Sequence, residues 1–222
     1  MPAVLFGSIS TLADTSELQR EAFNKSFVAH GLDWSWDREE YLALLEQSGG
    51  EDRVSEYAAA RGETVDAGAI HRTKSDIFQA SLADTPLKAR PGVTDTIAEA
   101  RSKGYRVALV TTTTPENVSA LLSALAPQVD AAHLDLVLDA TDVDSPKPDS
   151  AAYDFALSRL GMDAGDVVAI EDNLGGVESA IAAGLRVVAF PNENTIGHDF
   201  GSATLTVDHV SLAMLDEIIR KS

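Results

Sequence analysis

The sequence predicts an α/β protein: a parallel sheet covered by helices on both faces, with an all-helical segment inserted near the start. Three observations carry this. Val4, Leu5 and Phe6 form a short apolar run that stops at Gly7-Ser8, the mark of a buried strand ending in a loop. Runs of the same kind recur at 106–110, 134–138, 167–170 and 186–190, separated by stretches of helical periodicity. Between the first two runs, residues 15 to 85 show helical periodicity only. Strands alternating with helices imply a parallel sheet in three layers. Right-handed crossovers then bring the loops after the strands to one edge, where open α/β sheets hold their ligands.

The elements follow in order. Ser16-Glu17-Leu18-Gln19 has the capping-box pattern that opens a helix. Leu18, Ala22, Phe23, Phe27 and Val28 continue it at helical spacing, and His30-Gly31 ends it. Asp37-Arg38-Glu39-Glu40 is a polar helix start leading through Leu42, Leu44 and Leu45 to Ser48-Gly49-Gly50. A third helix spans Glu51 to Ala60 and is broken at Arg61-Gly62; a fourth spans Ala67 to Leu82. Trp34 and Trp36 are expected to pack inside this helical unit. Pro86 to Gly92 returns the chain to the sheet.

Val93 to Lys103 is a helix closed by Gly104. The strand Arg106–Val110 then runs into Thr111-Thr112-Thr113-Thr114-Pro115, which opens a helix to Leu125. The strand Leu134–Leu138 is followed by a loop, Asp142 to Pro148, that holds Lys147. Ser150–Leu160 is a helix, and Val167–Ile170 a strand that ends in Glu171-Asp172-Asn173. Gly175–Ala183, Arg186–Phe190 and His209–Lys221 complete the series as helix, strand and helix.

Bulk properties narrow the function. The chain of 222 residues can bury a full core. Its net charge of −18 argues against nucleic acid and anionic membrane as partners. A local basic pocket could still receive a phosphorylated small molecule. There is no cysteine, so thiol chemistry and disulfides are absent. No secretory pattern and no apolar stretch of membrane-spanning length stand out, so a cytoplasmic protein is expected.

The first strand and the loops after the later strands resemble the haloacid dehalogenase (HAD) superfamily, specifically its CbbY-type and β-phosphoglucomutase-like sugar-phosphate enzymes. In that family the first strand runs into D-x-D-G-T; here the text is Phe6-Gly7-Ser8-Ile9-Ser10-Thr11-Leu12. Gly7 stands at the nucleophilic aspartate and Ile9 at the acid/base aspartate, while Thr11 and Leu12 match. The resemblance implies a Rossmann-like core from residues 1–14 and 86–222 and a helical cap from 15–85. It places Thr111, Thr112 and Lys147 at a phosphate, and Glu171 and Asp172 at a magnesium ion. In the cap it implies substrate contacts from Gly49, Gly50 and Arg53, with Gln19 where relatives carry histidine; Arg90 matches as well. Glu51 replaces a family lysine.

The departures set the functional expectation. Glycine cannot attack phosphorus and isoleucine cannot move a proton, so no catalytic pair is intact. Loss of a charged ligand at position 7 implies that magnesium is held weakly, with Lys147 pairing with Glu171 or Asp172 instead. The resemblance therefore implies a phosphatase homologue without standard catalysis, which binds a phosphorylated ligand or regulates an active partner. The alternative is a magnesium-dependent phosphatase using another nucleophile, with Ser8, Ser10 and Thr11 as candidates and no base near them in sequence. No protein partner can be named from the residues.

Overall fold

A computed structural model describes residues 1–45 and 49–221. Ser48 of the expected Ser48-Gly49-Gly50 turn lies outside the described residues. Six parallel strands form one sheet: β1 (Ala3–Phe6), β2 (Arg106–Val110), β3 (Leu136–Leu138), β4 (Val167–Glu171), β5 (Arg186–Ala189) and β6 (Leu205–Thr206). Their order is β3-β2-β1-β4-β5-β6, so β1 is central and the chain leaves it first to one side and later to the other. That reversal is where open α/β sheets bind ligands.

The side-chain alternation of the strands sorts the core into two layers. Val4, Phe6, Val107, Leu109, Val168, Ile170 and Val188 face one side. There they meet α6 (Val93–Ser102), α7 (Pro115–Leu125) and α10 (Leu212–Arg220). Ala3, Leu5, Ala108, Val110, Val167, Ala169 and Val187 face the other side, against α8 (Ala151–Leu160) and α9 (Leu174–Ala182). With both faces covered, the strands read as near-continuous apolar runs.

Among the described residues the helical insertion after β1 holds α2 (Ser16–Ala29), α3 (Arg38–Leu44), α4 (Gly50–Ala60) and α5 (Ala67–Asp84). They have their own aromatic core. Trp36 packs edge-on to Phe27 with ring centroids 4.6 Å apart and lies 4.9 Å from Phe23. Trp34 and Trp36 are both buried there, as expected. Ala22, Phe78 and Leu82, on α2 and α5, belong instead to the sheet's own core, so these two helices root the insertion.

The structure corrects several expected boundaries. The capping box at Ser16 does not form. Thr15 is the N-cap of α2, and Ser16 gives both its backbone N–H and its hydroxyl to Asp14. Gln19 Nε2 reaches Thr15 Oγ1 at 3.3 Å. The loop after β1 contains a single helical turn, α1 (Ile9–Leu12), because the Ser8 hydroxyl accepts from the N–H groups of Ser10 and Thr11. β3 begins at Leu136 and not Leu134, since the Asp135 carboxylate takes the Val107 N–H. The last helix begins at Leu212, capped by Ser211. β6 is a two-residue strand too short to leave a periodic signal.

Gly92 closes the return from the insertion. Its φ of 81° is left-handed, and a Cβ there would overlap the Val210 carbonyl, whose N–H bonds Pro91 O at 3.2 Å. Gly92→Ala is expected to destabilise the protein by about 2 kcal/mol or more. Urea unfolding checks this; a change within about 0.5 kcal/mol would rule out so close an approach.

Candidate functional site

The loops after β1, β2, β3, β4 and β5 converge on one cavity of about 250 Å³, roofed by α2, α4 and α5. Gly7, Ile9, Thr111, Thr112, Lys147 and Asp172 line it from the sheet edge. Gln19, Gly49, Gly50 and Arg53 line it from the inserted helices. Glu171 and Arg90 do not line it.

Lys147 lies at the centre of the floor and is buried. Its ammonium donates to the carbonyls of Gly7 and Val110, the last at 2.8 Å, and to Glu171 Oε1 at 2.6 Å. Of the two acids expected to pair with Lys147, the fold selects Glu171. Tyr153, on α8, gives its hydroxyl to the same Oε1 at 2.7 Å. Burial pushes the Glu171 carboxyl pKa up while the Lys147 charge holds it down, and burial beside Glu171 raises the Tyr153 phenol well above its ordinary value.

Glu171 reaches Lys147 through room that a side chain at position 7 would need. A Cβ built on Gly7 would overlap the Glu171 carboxyl group and the Tyr153 hydroxyl. A Cβ on Gly176 would also overlap that carboxyl. The acid is thus wedged between two glycines, and its second oxygen, Oε2, has no hydrogen-bond partner.

Asp172 is committed as well. Its Oδ1 accepts from the Ser8 hydroxyl at 2.6 Å and from Asn173 Nδ2 at 3.1 Å; its Oδ2 accepts from Asn192 Nδ2 at 2.6 Å. The donor set therefore does not fit the expected magnesium ion. Magnesium takes octahedral oxygen coordination, commonly through one or two carboxylates whose free lone pairs face the ion, with water and substrate oxygens completing the set. Among the described residues one carboxylate, Asp172, borders the cavity, its oxygens are filled by N–H and O–H donors, and the other acid is turned toward an ammonium. Among the described residues no group of three His, Cys, Asp or Glu side chains is placed to hold a metal.

No base lies near Ser8 in sequence, but the fold brings Asp172 to its hydroxyl across 164 positions. Both Ser8 lone pairs, however, accept backbone N–H groups. Arg90, expected at the substrate, instead donates to the carbonyls of Ser10, Phe190 and Pro191 and stacks 3.5 Å from the Phe190 ring. It pins the β1 loop to the end of β5.

Sequence reasoning named Arg53 on the wall opposite but missed Lys74 and His71 beside it. Lys74 on α5 is buried, donates to Gln19 Oε1 at 3.0 Å, and sits 5.0 and 5.2 Å from the Phe23 and Phe78 ring centres. Burial first, and then the Arg53 charge, lower its pKa to about 7. His71, one turn earlier, is held to about 4 by burial and by Lys74 and Arg53. Arg53 donates to Leu44 O at 2.8 Å and lies over Tyr41. A signal was present: Lys74 falls four residues from both Ile70 and Phe78, on the buried stripe of α5.

The sign of the Lys74 shift gives a test. Its native pKa lies below its unfolded value, so its burial opposes folding fully below pH 7, and the penalty fades as pH rises from about 7 toward the unfolded lysine value near 10. Lys74→Met is expected to melt higher than wild type by at least about 3 °C at pH 6, with a gap that narrows by pH 9. Calorimetry at both pH values measures it; a gap independent of pH would mean that Lys74 is not held in this environment.

Comparison with known proteins places these features. The family model described as "Haloacid dehalogenase-like hydrolase" matches residues 10–190. Protein CbbY of Cereibacter sphaeroides is 38% identical over 209 residues, covering 93% of this chain and 91% of that protein. The crystal structure of CbbY from Rhodobacter sphaeroides in complex with phosphate superposes with a TM-score of 0.88 at 38% identity, over 97% of this chain and 100% of that one. A mutant of that CbbY in complex with xylulose-(1,5)bisphosphate gives 0.86 at 38% identity, over 94% and 95%. Identity at this level over nearly the whole length, together with the matched family model, means that the chain belongs to the haloacid dehalogenase-like hydrolases and is a relative of the CbbY proteins within them.

Proposed function

We propose that this protein binds a phosphorylated sugar in the cavity without transferring its phosphoryl group, residues 15–85 acting as a cap over a core of 1–14 and 86–222. One observation carries the reading: at position 7 the carboxylate that would attack phosphorus is missing, and Glu171 fills its room. Standard chemistry in this family needs a carboxylate nucleophile and a neighbouring acid. Gly7 and Ile9 supply neither, and Glu171 is sealed below the cavity. Loss of such groups costs several powers of ten in rate, about 10⁴ to 10⁶.

Binding capacity survives that loss. Thr111 and Thr112 stand at the end of β2, and Arg53 and Lys74 at the opposite wall. Hydroxyls at one end and cations at the other suit a polar ligand carrying anionic groups. The phosphate and bisphosphate complexes of the CbbY relatives support the sugar-phosphate class. A binder of this kind would serve as a ligand-responsive regulator of an active partner.

A second reading is favoured by the 2.6 Å contact of Ser8 Oγ with Asp172: hydrolysis with Ser8 as nucleophile and Asp172 as base. Against it, attack needs a lone pair, and both are engaged by N–H groups of α1.

Hydrolysis of an aryl phosphate, with and without magnesium, tests both. Wild type is expected to show no turnover above the Ser8→Ala variant. Magnesium-dependent turnover that disappears in Ser8→Ala would establish the second reading in place of the first. The double change Gly7→Asp and Ile9→Asp must also push the Glu171 carboxyl out of its slot. It is expected to raise hydrolysis by about 10² or more over wild type, since it restores nucleophile and acid together. No gain would mean that the surrounding geometry has been lost too.

A further inference from the structure

We infer that Glu171 is an internal anion that competes with the ligand for Lys147, holding the lysine in a retracted state that an incoming oxyanion must break. The inference rests on the proposed binding of a phosphate-bearing ligand in this cavity.

The argument is a count of protons. A lysine ammonium has three N–H donors. Those of Lys147 meet Gly7 O, Val110 O and Glu171 Oε1, with Tyr153 Oη more distant at 3.5 Å. None remains for the cavity that Lys147 borders. The two carbonyls lie at the ends of strands β1 and β2 and are fixed by the sheet. Glu171 is the one charged competitor of the three, and its place depends on the absence of a side chain at position 7. An oxyanion entering beside Thr111 and Lys147 must therefore draw the ammonium from Glu171. Doing so leaves a buried carboxylate without a counter-charge, held only by the Tyr153 hydroxyl, which is strongly unfavourable. The wedge thus weakens binding of free oxyanions, and the ligand class that overcomes it carries further contacts to the opposite wall of Arg53 and Lys74. An isolated phosphate is selected against; a phosphate attached to a polar body that spans the cavity is favoured.

Glu171→Gln removes the competing charge and keeps the shape. Inorganic phosphate is the probe, titrated calorimetrically into the full chain without divalent metal, for wild type, Glu171→Gln and Lys147→Met. Glu171→Gln is expected to bind phosphate at least about tenfold more tightly than wild type, and Lys147→Met more weakly than either. Because an unpaired buried ammonium destabilises the fold, the variant should melt lower than wild type without phosphate. It should also gain more from a fixed phosphate concentration, as ligand linkage requires. If wild type and Glu171→Gln bind equally, or the variant binds more weakly while melting cooperatively, the competition is disproved although the binding reading stands. If phosphate neither binds nor raises the melting temperature of any of the three, Lys147 captures no oxyanion even without the competing charge and the inference is overturned; the binding reading then falls only if a sugar phosphate also fails to raise the wild-type melting temperature. Should Glu171→Gln not fold, Glu171→Ala supplies the same comparison with the slot opened.

Discussion

Three hydrogen bonds to one buried ammonium organise this site. Lys147 joins the end of β1, through Gly7 O, to the end of β2, through Val110 O, and holds Glu171 at the end of β4. Those strands are neighbours at the centre of the sheet, where the topology reverses. A charge placed there must be compensated, because the interior solvates it poorly. Compensation by Glu171 in turn requires empty space at positions 7 and 176, and both are glycine. The residues around Gly7 are thus mutually adjusted: the slot is filled, the lysine is paired, and the second acid is satisfied by Ser8 and Asn192.

The same economy extends to the inserted helices. Asn192 holds Asp172 from the loop after β5, and its Oδ1 accepts the Asn194 N–H at 2.8 Å. Asn194 then bonds Glu17 on α2 at 2.6 Å and receives Arg38 of α3 at 3.1 Å. Arg38 also pairs with Glu193 at 2.9 Å. A continuous polar path therefore runs from the floor of the cavity to the helices above it. The exposed ion pair at its end adds little energy alone; the buried asparagines supply most of its directionality. The aromatic cluster around Trp36 keeps those helices rigid enough for such contacts to set their position.

Much of this was legible from the chain. The sheet strands, the helices that cover them and the helical insertion followed from periodicity, because burial on two faces or one leaves a pattern in neighbouring residues. The loops with chemistry followed from strand ends. Legibility failed where side chains overrode main-chain pattern: Asp135 shortened β3, Asp14 displaced the cap of α2, and Ser8 wound a helical turn into the first loop. Lys74 was hidden for a different reason, since a lysine in an apolar stripe looks like noise until its surroundings show that it is buried and facing a cavity.

By itself the sequence determined the α/β order and the position of the insertion, since each is a property of residue type or of local spacing, while its resemblance to a known family implied the absence of carboxyl groups at positions 7 and 9. Tertiary structure alone decided what occupies the resulting gap, which acid pairs with Lys147, that Ser8 meets Asp172, and that Arg90 serves the backbone and not the cavity. Those outcomes depend on distances between residues far apart in the chain and on competition among several donors for few acceptors. Such competition is resolved only when every neighbour is in place, so no local pattern encodes it.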